Sequence, residues 1–382
     1  MATVCSQSKD CYARDFRVAD VAIAHGRVAG TTYEMESFWY KWCGYVQEFD
    51  DVDPYLATEG FDDIVRAVTG FAGRVRTGHY GRGATVSCAR VATAVRAIGQ
   101  TCELERGYNP LYRAPERYLR PIEHMFAGFR RDDPIPVPEI AVPVSVPQQC
   151  AMAGFSSAGT PKDKAVGDLA LISFYYLLRV GEYTQKRRKG NTRTIQFRWC
   201  DVAFKHGNVI VPRDAPASEI LASTAATLRL SNQKNGIRGS LVHRSATGGT
   251  FCPVLALARR FLHMRDNGAG DNDILSSFWD HLGQSHVTDE DMRVASRRAV
   301  IALKLEKNGI LPSRVGSHSF RAGGAMALKF AGADRDDIKK MGRWSSDTFL
   351  IYIHDQIAEY SEGWTKKMEQ PRSYFNLEGA FV

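Results

Sequence analysis

Residues 132–147, DDPIPVPEIAVPVSVP, hold five prolines in one short run. Each proline fixes φ near about −65° and removes a backbone donor, so neither a helix interior nor a central strand can run through such a stretch. A chain interrupted in this way folds as separate bodies joined by an extended connection. The pattern predicts a linker over 132–149, one body before it over 31–131 and another after it over 150–370. Residues 1–30 are then an N-terminal extension and 371–382 a C-terminal tail. With 382 residues, both bodies have the length to bury a core of their own.

The first body reads as helices. Met35, Trp39, Trp42, Val46 and Phe49 form one apolar stripe at helical spacing. Phe61, Ile64, Val68, Phe71 and Val75 form a second, and Ala84, Cys88, Val91, Val95, Ile98 and Cys102 a third. Thr31 or Thr32 can cap the first helix, Asp53-Pro54 breaks the chain after it, and GHYGRG at 78–83 parts the second from the third. A further helix is expected from about Pro115 to Arg130, which makes a bundle of about four. This bundle carries Arg74, Arg76, Arg82, Arg90 and Arg96. They are candidates for contact with DNA phosphates or, on the plainer reading, a solvated basic face.

The second body mixes elements. DKAVGDLALISFYYLLR, residues 163–179, is apolar almost all round and predicts a buried helix ending on Arg179. An arginine so placed needs an anion, either Glu182 in a buried ion pair or a bound phosphate. TIQFRW, NVIVP, ATLRL and SLVH read as strands. Between the last two, Asn235-Gly236 is a hairpin-turn signal, and Lys234 stands immediately before it. Helices return from about Pro253, through 293–309, to HSFRAGGA at 318–325. There His318 and Arg321, three residues apart, share one helix face, and Ala322, Gly323, Gly324 and Ala325 follow with almost no bulk. The expected fold class is mainly α with a small antiparallel β-sheet, in two domains: a helical bundle and an α+β domain.

Composition narrows the function classes. A net charge of +8 favours a polyanionic partner, since neutralised phosphates are the general source of nucleic-acid affinity. No stretch approaches the roughly 20 apolar residues of a membrane span. The eight cysteines are scattered, with no zinc-ligand spacing, and MATVCSQSKD has no apolar run of a secretory signal. The expectation is an intracellular protein with reduced thiols and no bound metal.

Four features occur in order: LLRVGEYT closing the apolar helix, a lysine at a hairpin turn, H-x-x-R on a later helix, and GRWSSDTFLIYIH close behind it. This set resembles the tyrosine recombinase (phage integrase) family, in particular eukaryotic mobile-element members such as those of DIRS-type retrotransposons and Cryptons. The resemblance covers about 31–130 as a SAM-like core-binding domain and about 150–370 as a catalytic domain. It implies strand cleavage in double-stranded DNA by Tyr352 as nucleophile, through a 3′-phosphotyrosine and with no cofactor. Arg179 and Arg321 would clamp the phosphate, His318 would bond it or assist proton transfer, and Lys234 would protonate the leaving 5′ oxygen. Glu182 would orient a neighbouring cation.

Many members place the tyrosine nine residues after a Gly-His or Gly-Trp pair. Here Arg343 stands at nine and Trp344 at eight, with Trp344 the favoured equivalent and Arg343 the runner-up. The family also implies a synaptic tetramer on DNA and, in a eukaryote, a nuclear location. Ile357, Tyr360, Trp364 and Met368 continue at helical spacing in the tail, which packs on its own domain or docks on a neighbouring protomer. Two competing readings remain: a relaxing enzyme of the type IB topoisomerase kind, and a domesticated DNA-binding protein without catalysis.

Overall fold

A computed structural model describes residues 15–19, 29–49, 52–81, 83–114, 117–135, 139–185, 194–232, 238–344 and 346–347. Lys234, Tyr352, Arg82 and the apolar stripe of the tail lie outside these residues. The protein is mostly helical with small antiparallel sheets, and it divides into two compact units that meet in sequence between 135 and 139.

In the first unit α1 (Ala29–Val46), α2 (Phe61–Arg76), α3 (Cys88–Arg106) and α4 (Arg120–Asp132) surround one core. A small ladder of β1 (Tyr112–Ala114) and β2 (Arg117–Tyr118) joins α3 to α4. Trp42, Val68, Phe71, Val91, Val95 and Ile98 are fully buried, so the helical stripes do face inward. Phe49 and Phe61 are exposed, because one lies past the end of α1 and the other opens α2. Thr31 and Thr32 fall inside α1, which already runs from Ala29, and not before it. The helix expected from Pro115 begins at Arg120, where Pro121 fits the first turn that lacks intrahelical N–H partners.

The second unit opens with α5 (Ser145–Phe155), α6 (Pro161–Tyr175) and the short α7 (Val180–Tyr183). The expected linker is therefore shorter than 132–149. Asp132 ends α4, and α5 already runs from Ser145 with Val146 and Pro147 buried, a proline being tolerated in a first turn. Residues before α5 are also tied down, since the Ile140 N–H donates to the Arg314 carbonyl at 3.0 Å. The apolar helix stops at Tyr175, not at Arg179. Leu177, at φ 50°, turns the chain, and Arg179 stands as the residue preceding α7.

A four-stranded antiparallel sheet follows in the order β4-β3-β5-β6, with β3 (Val202–His206), β4 (Val209–Val211), β5 (Ala225–Leu230) and β6 (Ser240–Ser245). The short helix α8 (Ala217–Leu221) lies between β4 and β5. TIQFRW is not a strand: it leads into a 3-10 turn at Trp199–Asp201, and the strand comes afterwards, in VAFKH. The β5–β6 pairing runs from Ala225↔Ser245 to Leu230↔Ser240, as expected for a hairpin whose turn holds Asn235-Gly236. Helix α9 (Pro253–Asp266), the β7 (Ser277–Asp280) and β8 (Gly283–His286) pair, α10 (Asp289–Ala302), α11 (Ser319–Phe330) and α12 (Arg335–Gly342) complete the unit. The helix expected over 293–309 starts earlier and ends at Ala302, followed by a 3-10 turn. Among the described residues no helix is long and apolar enough to cross a membrane.

Helices α11 and α6 cross at close range because the small residues after Arg321 allow it. A Cβ on Gly323 would overlap the Val142 carbonyl oxygen, and one on Gly324 the Phe174 carbonyl oxygen. In an ordinary helix interior Gly→Ala stabilises by about 1 kcal/mol. Here overlap with backbone reverses the sign. Gly324→Ala should destabilise the protein by about 1–3 kcal/mol in urea unfolding, and a stabilised variant would mean that the two helices can part without cost.

Candidate active site

Glu182, on α7, is wholly buried. A carboxylate removed from water needs charged or hydrogen-bonding partners, and here it has three donors. The Arg179 backbone N–H lies 2.8 Å from Oε2, the Arg179 Nη1 is 3.1 Å from Oε1, and the Arg343 Nη2 is 3.0 Å from Oε2. Arg179 forms the ion pair to Glu182, and its side chain is still 22% exposed.

Arg343 reaches inward because it follows α12 with φ 57°, in the left-handed region that reverses a chain at a helix end. Its Nη2 also donates to the Leu177 carbonyl at 3.1 Å. Arg321 holds the same carbonyl through Nη1 and the Gly342 carbonyl through Nη2. Three arginines from distant parts of the chain thus meet in one network: Arg179, Glu182, Arg343, the Leu177 carbonyl and Arg321. Three guanidiniums against one carboxylate leave it net positive.

Trp344 covers this network from one side, its ring 4.3 Å from the Arg321 guanidinium carbon. The fold requires glycine next to it, since a Cβ on Gly342 would overlap the indole ring. Arg343 and Trp344 therefore do different work: the first is bonded to Glu182 and the second stacks on Arg321. Burial pulls the Arg343 guanidinium below the ordinary arginine range, and the nearby Arg179 charge adds to the effect, while Glu182 opposes both. Its Nε and Nη1 are buried with no hydrogen-bond partner among the described residues.

His318 is exposed and immediately precedes α11, one turn before Arg321. Its backbone N–H donates to the Glu139 carboxylate at 2.7 Å.

Sequence reasoning missed Arg244, on β6. Its Nε donates to the Tyr175 carbonyl at 2.7 Å, two residues before Leu177, and its guanidinium stands over the Tyr176 ring. Burial lowers its pKa, and the Arg343 charge lowers it further. No sequence signal marked it: HRS on an alternating strand reads as an ordinary exposed edge. The Leu177 carbonyl was equally invisible, being backbone.

The bundle arginines fare unevenly. Arg76 is committed inside its own unit, ion-paired with Asp133 and bonded to the Val86 carbonyl. That makes it a structural cation instead of part of a basic face. Arg74 pairs with Glu48 over the Tyr45 ring, and Arg90 with Glu34 over the Phe38 ring. Arg96 is exposed.

No protein-family model matches the chain, and no curated protein matches it. Solved structures do. The chain is similar to a Tn1549 transposon integrase in complex with transposon right-end DNA, at 12% identity and a TM-score of 0.43, over 87% of this chain and 99% of that one. It is similar to XerA recombinase at 14% identity and a TM-score of 0.36, over 94% and 98%. With XerH recombinase bound to palindromic difH substrate in a post-cleavage complex it shares 14% identity and a TM-score of 0.46, over 84% and 74%.

The network makes a stability prediction. Glu182→Gln leaves buried guanidiniums without their counter-charge and should cost about 3–5 kcal/mol in denaturant unfolding. A cycle with Arg343→Gln should return a coupling of at least about 1 kcal/mol. Additive losses would show that the ion pair holds nothing together.

Proposed function

We propose that the protein is a DNA strand-transferase of tyrosine recombinase type, which cuts and rejoins duplex DNA through a covalent 3′-phosphotyrosine. One observation carries the reading: Arg179 and Arg321, the two cations that the motif order nominated as a phosphate clamp, belong to one hydrogen-bonded network around Glu182 and the Leu177 carbonyl.

In the reaction the Tyr352 oxygen attacks the scissile phosphorus, a P–O bond to tyrosine forms, and the P–O5′ bond breaks. The phenol, of pKa about 10, loses its proton as it attacks, and His318 is the group assigned to take it or to bond the phosphate. Lys234 gives a proton to the departing 5′ oxygen. Charge on the phosphorane is met by Arg179 and Arg321, whose planar forks bind two oxygens where lysine binds one. The Arg321 guanidinium, 4% exposed, is bonded to the Leu177 and Gly342 carbonyls and would meet the phosphate from that held position. The carbonyl bonds set its direction, and Trp344 restricts its tilt. This preorganisation is where electrostatic catalysis gains most. No metal or organic cofactor enters the scheme.

The partner is double-stranded DNA, in keeping with the +8 charge. Arg74, Arg82, Arg90 and Arg96 are the bundle cations assigned to its backbone, and a synaptic tetramer is the assembly proposed on DNA. The likeness to DIRS-type and Crypton members, with the nuclear location it carries, rests on the order of the motifs. The domain roles, core-binding for the first unit and catalytic for the second, rest on the same ground.

A nicked suicide substrate drawn from the ends of the element that encodes the chain tests the scheme. The parent should form a covalent protein–DNA adduct that Tyr352→Phe abolishes. Arg179→Lys and Arg321→Lys, which keep charge but lose the two-point grip, should slow adduct formation by about 10²–10³-fold. An adduct surviving in Tyr352→Phe would remove the nucleophile assignment, and no adduct in the parent would favour the DNA-binding protein. Joined product between two separate sites distinguishes a recombinase from an enzyme that only relaxes supercoils.

A further inference from the structure

Asp201, 3% exposed, is another deeply buried carboxylate of the α+β unit, and two arginines bond it. Arg198 donates to it from its backbone N–H and from Nε, both at 3.1 Å to Oδ2. The Ser231 hydroxyl donates to Oδ1 at 3.1 Å and accepts from the Arg198 Nη2 at 2.9 Å. Arg229 reaches Oδ1 at 3.4 Å from a side chain that is half exposed. Hydrogen bonding to Asp201 raises the Arg198 pKa, so this cation stays charged.

The placement of this cluster gives it a second meaning. Arg229 and Ser231 bracket the end of β5, where Leu230 pairs with Ser240 and the Gly239 N–H donates to the Leu230 carbonyl at 2.8 Å. Beside them the Ile195 N–H donates to the Asn232 carbonyl at 3.2 Å. The base of the β5–β6 hairpin is thus clamped on its outgoing arm by one buried carboxylate. Lys234 follows Ser231 by three residues, so its Cα lies within about 10 Å of the clamped serine whatever the turn does. Such a bound on reach is useful for a group that must arrive at a leaving oxygen.

We propose that Asp201, through Arg198 and Ser231, is a positioning residue for Lys234, holding the hairpin base so that the lysine ammonium can deliver its proton as the P–O5′ bond breaks. This rests on the role of Lys234 in the proposed function and adds to it the residue that aims it. Asp201 itself touches neither DNA nor the reacting atoms. Replacing it with asparagine keeps the shape but sets an amide donor against the Arg198 donors, which loosens Ser231.

The test uses the full chain and two suicide substrates, one with the natural 5′ oxygen at the scissile phosphate and one with sulfur in its place. A thiol leaving group has a pKa of about 8.5 and departs as thiolate with no proton delivered, so a defect confined to the acid disappears on it. Asp201→Asn and Ser231→Ala should cleave the oxygen substrate about 10–100-fold more slowly than the parent and the sulfur substrate at close to the parental rate. Lys234→Ala should show the same selectivity more strongly. Equal slowing of Asp201→Asn and Ser231→Ala on both substrates would assign Asp201 to general folding and overturn the proposal, as would parental rates on both. Lys234→Ala slowed alike on both substrates would instead remove the lysine as the acid, whatever the Asp201 result, and the positioning role with it. If Asp201→Asn fails to fold, Ser231→Ala alone decides.

Discussion

A carboxylate with no access to water sets the terms for the second unit of this protein. Glu182 is wholly buried, where an isolated charge would be intolerable. Its oxygens are therefore met by Arg179, next to it in the chain, and by Arg343, which arrives from the far end of α12. Each guanidinium brought in for Glu182 is itself desolvated and must be satisfied in turn. The Leu177 carbonyl does this for Arg343 and, at the same time, for Arg321. One buried negative charge thus recruits a positive cluster larger than itself, and the surplus charge is what a phosphate would neutralise.

Backbone conformation makes that recruitment possible. Leu177 at φ 50° breaks α6 and turns its carbonyl away from the helix ladder toward the arginines, and Arg343 at φ 57° folds its side chain back under the end of α12. A non-glycine residue in this region costs of order 1 kcal/mol or more, so two of them flanking one site need an offset from surrounding contacts. Leu177 is 1% exposed and packs with Ala325, Met326 and Ile338, which supplies it. The glycines of α11 serve the same end from the other side, because the helix that carries Arg321 must lie against the Phe174 carbonyl for its guanidinium to reach Leu177.

Much of this was legible in the residues, and the rest was not, for definable reasons. The stripes of Trp42, Phe71 and Val95 announced their helices because a one-sided core leaves a 3.6-residue period. The β5–β6 pair was visible from its turn chemistry and alternation. TIQFRW misled because it has the alternation of a strand, with Ile195 exposed and Phe197 buried, yet its pairing among the described residues stops at an isolated bridge from Arg198 to Ile274. The end of α6 was misplaced by four residues: LLR continues the apolar pattern, and only tertiary contacts hold Leu177 in a conformation no propensity predicts. The linker was overextended because prolines at 143 and 147 suit the approach to a helix as well as they suit a coil. Of the buried network, Arg179, Glu182, Arg321, Arg343 and Trp344 were singled out from motif order. Arg244 and the Leu177 carbonyl were not, since a strand arginine and a main-chain oxygen carry no signature.

The chain enters the second unit at a telling place. Glu139 and Ile140, the first described residues after the linker, bond to His318 and to the Arg314 carbonyl, and the Val142 N–H faces the Ser319 carbonyl at 3.4 Å. The entering strand of chain is therefore laid along the turn that presents His318 and, a helical turn later, Arg321. Gly316 has no side chain because Glu139 fills the space a Cβ would need. A tether that ends on the nominated histidine's own backbone cannot be pulled without moving it. The described residues that follow the prolines and the turn that carries His318 and Arg321 are thus joined by hydrogen bonds within one unit.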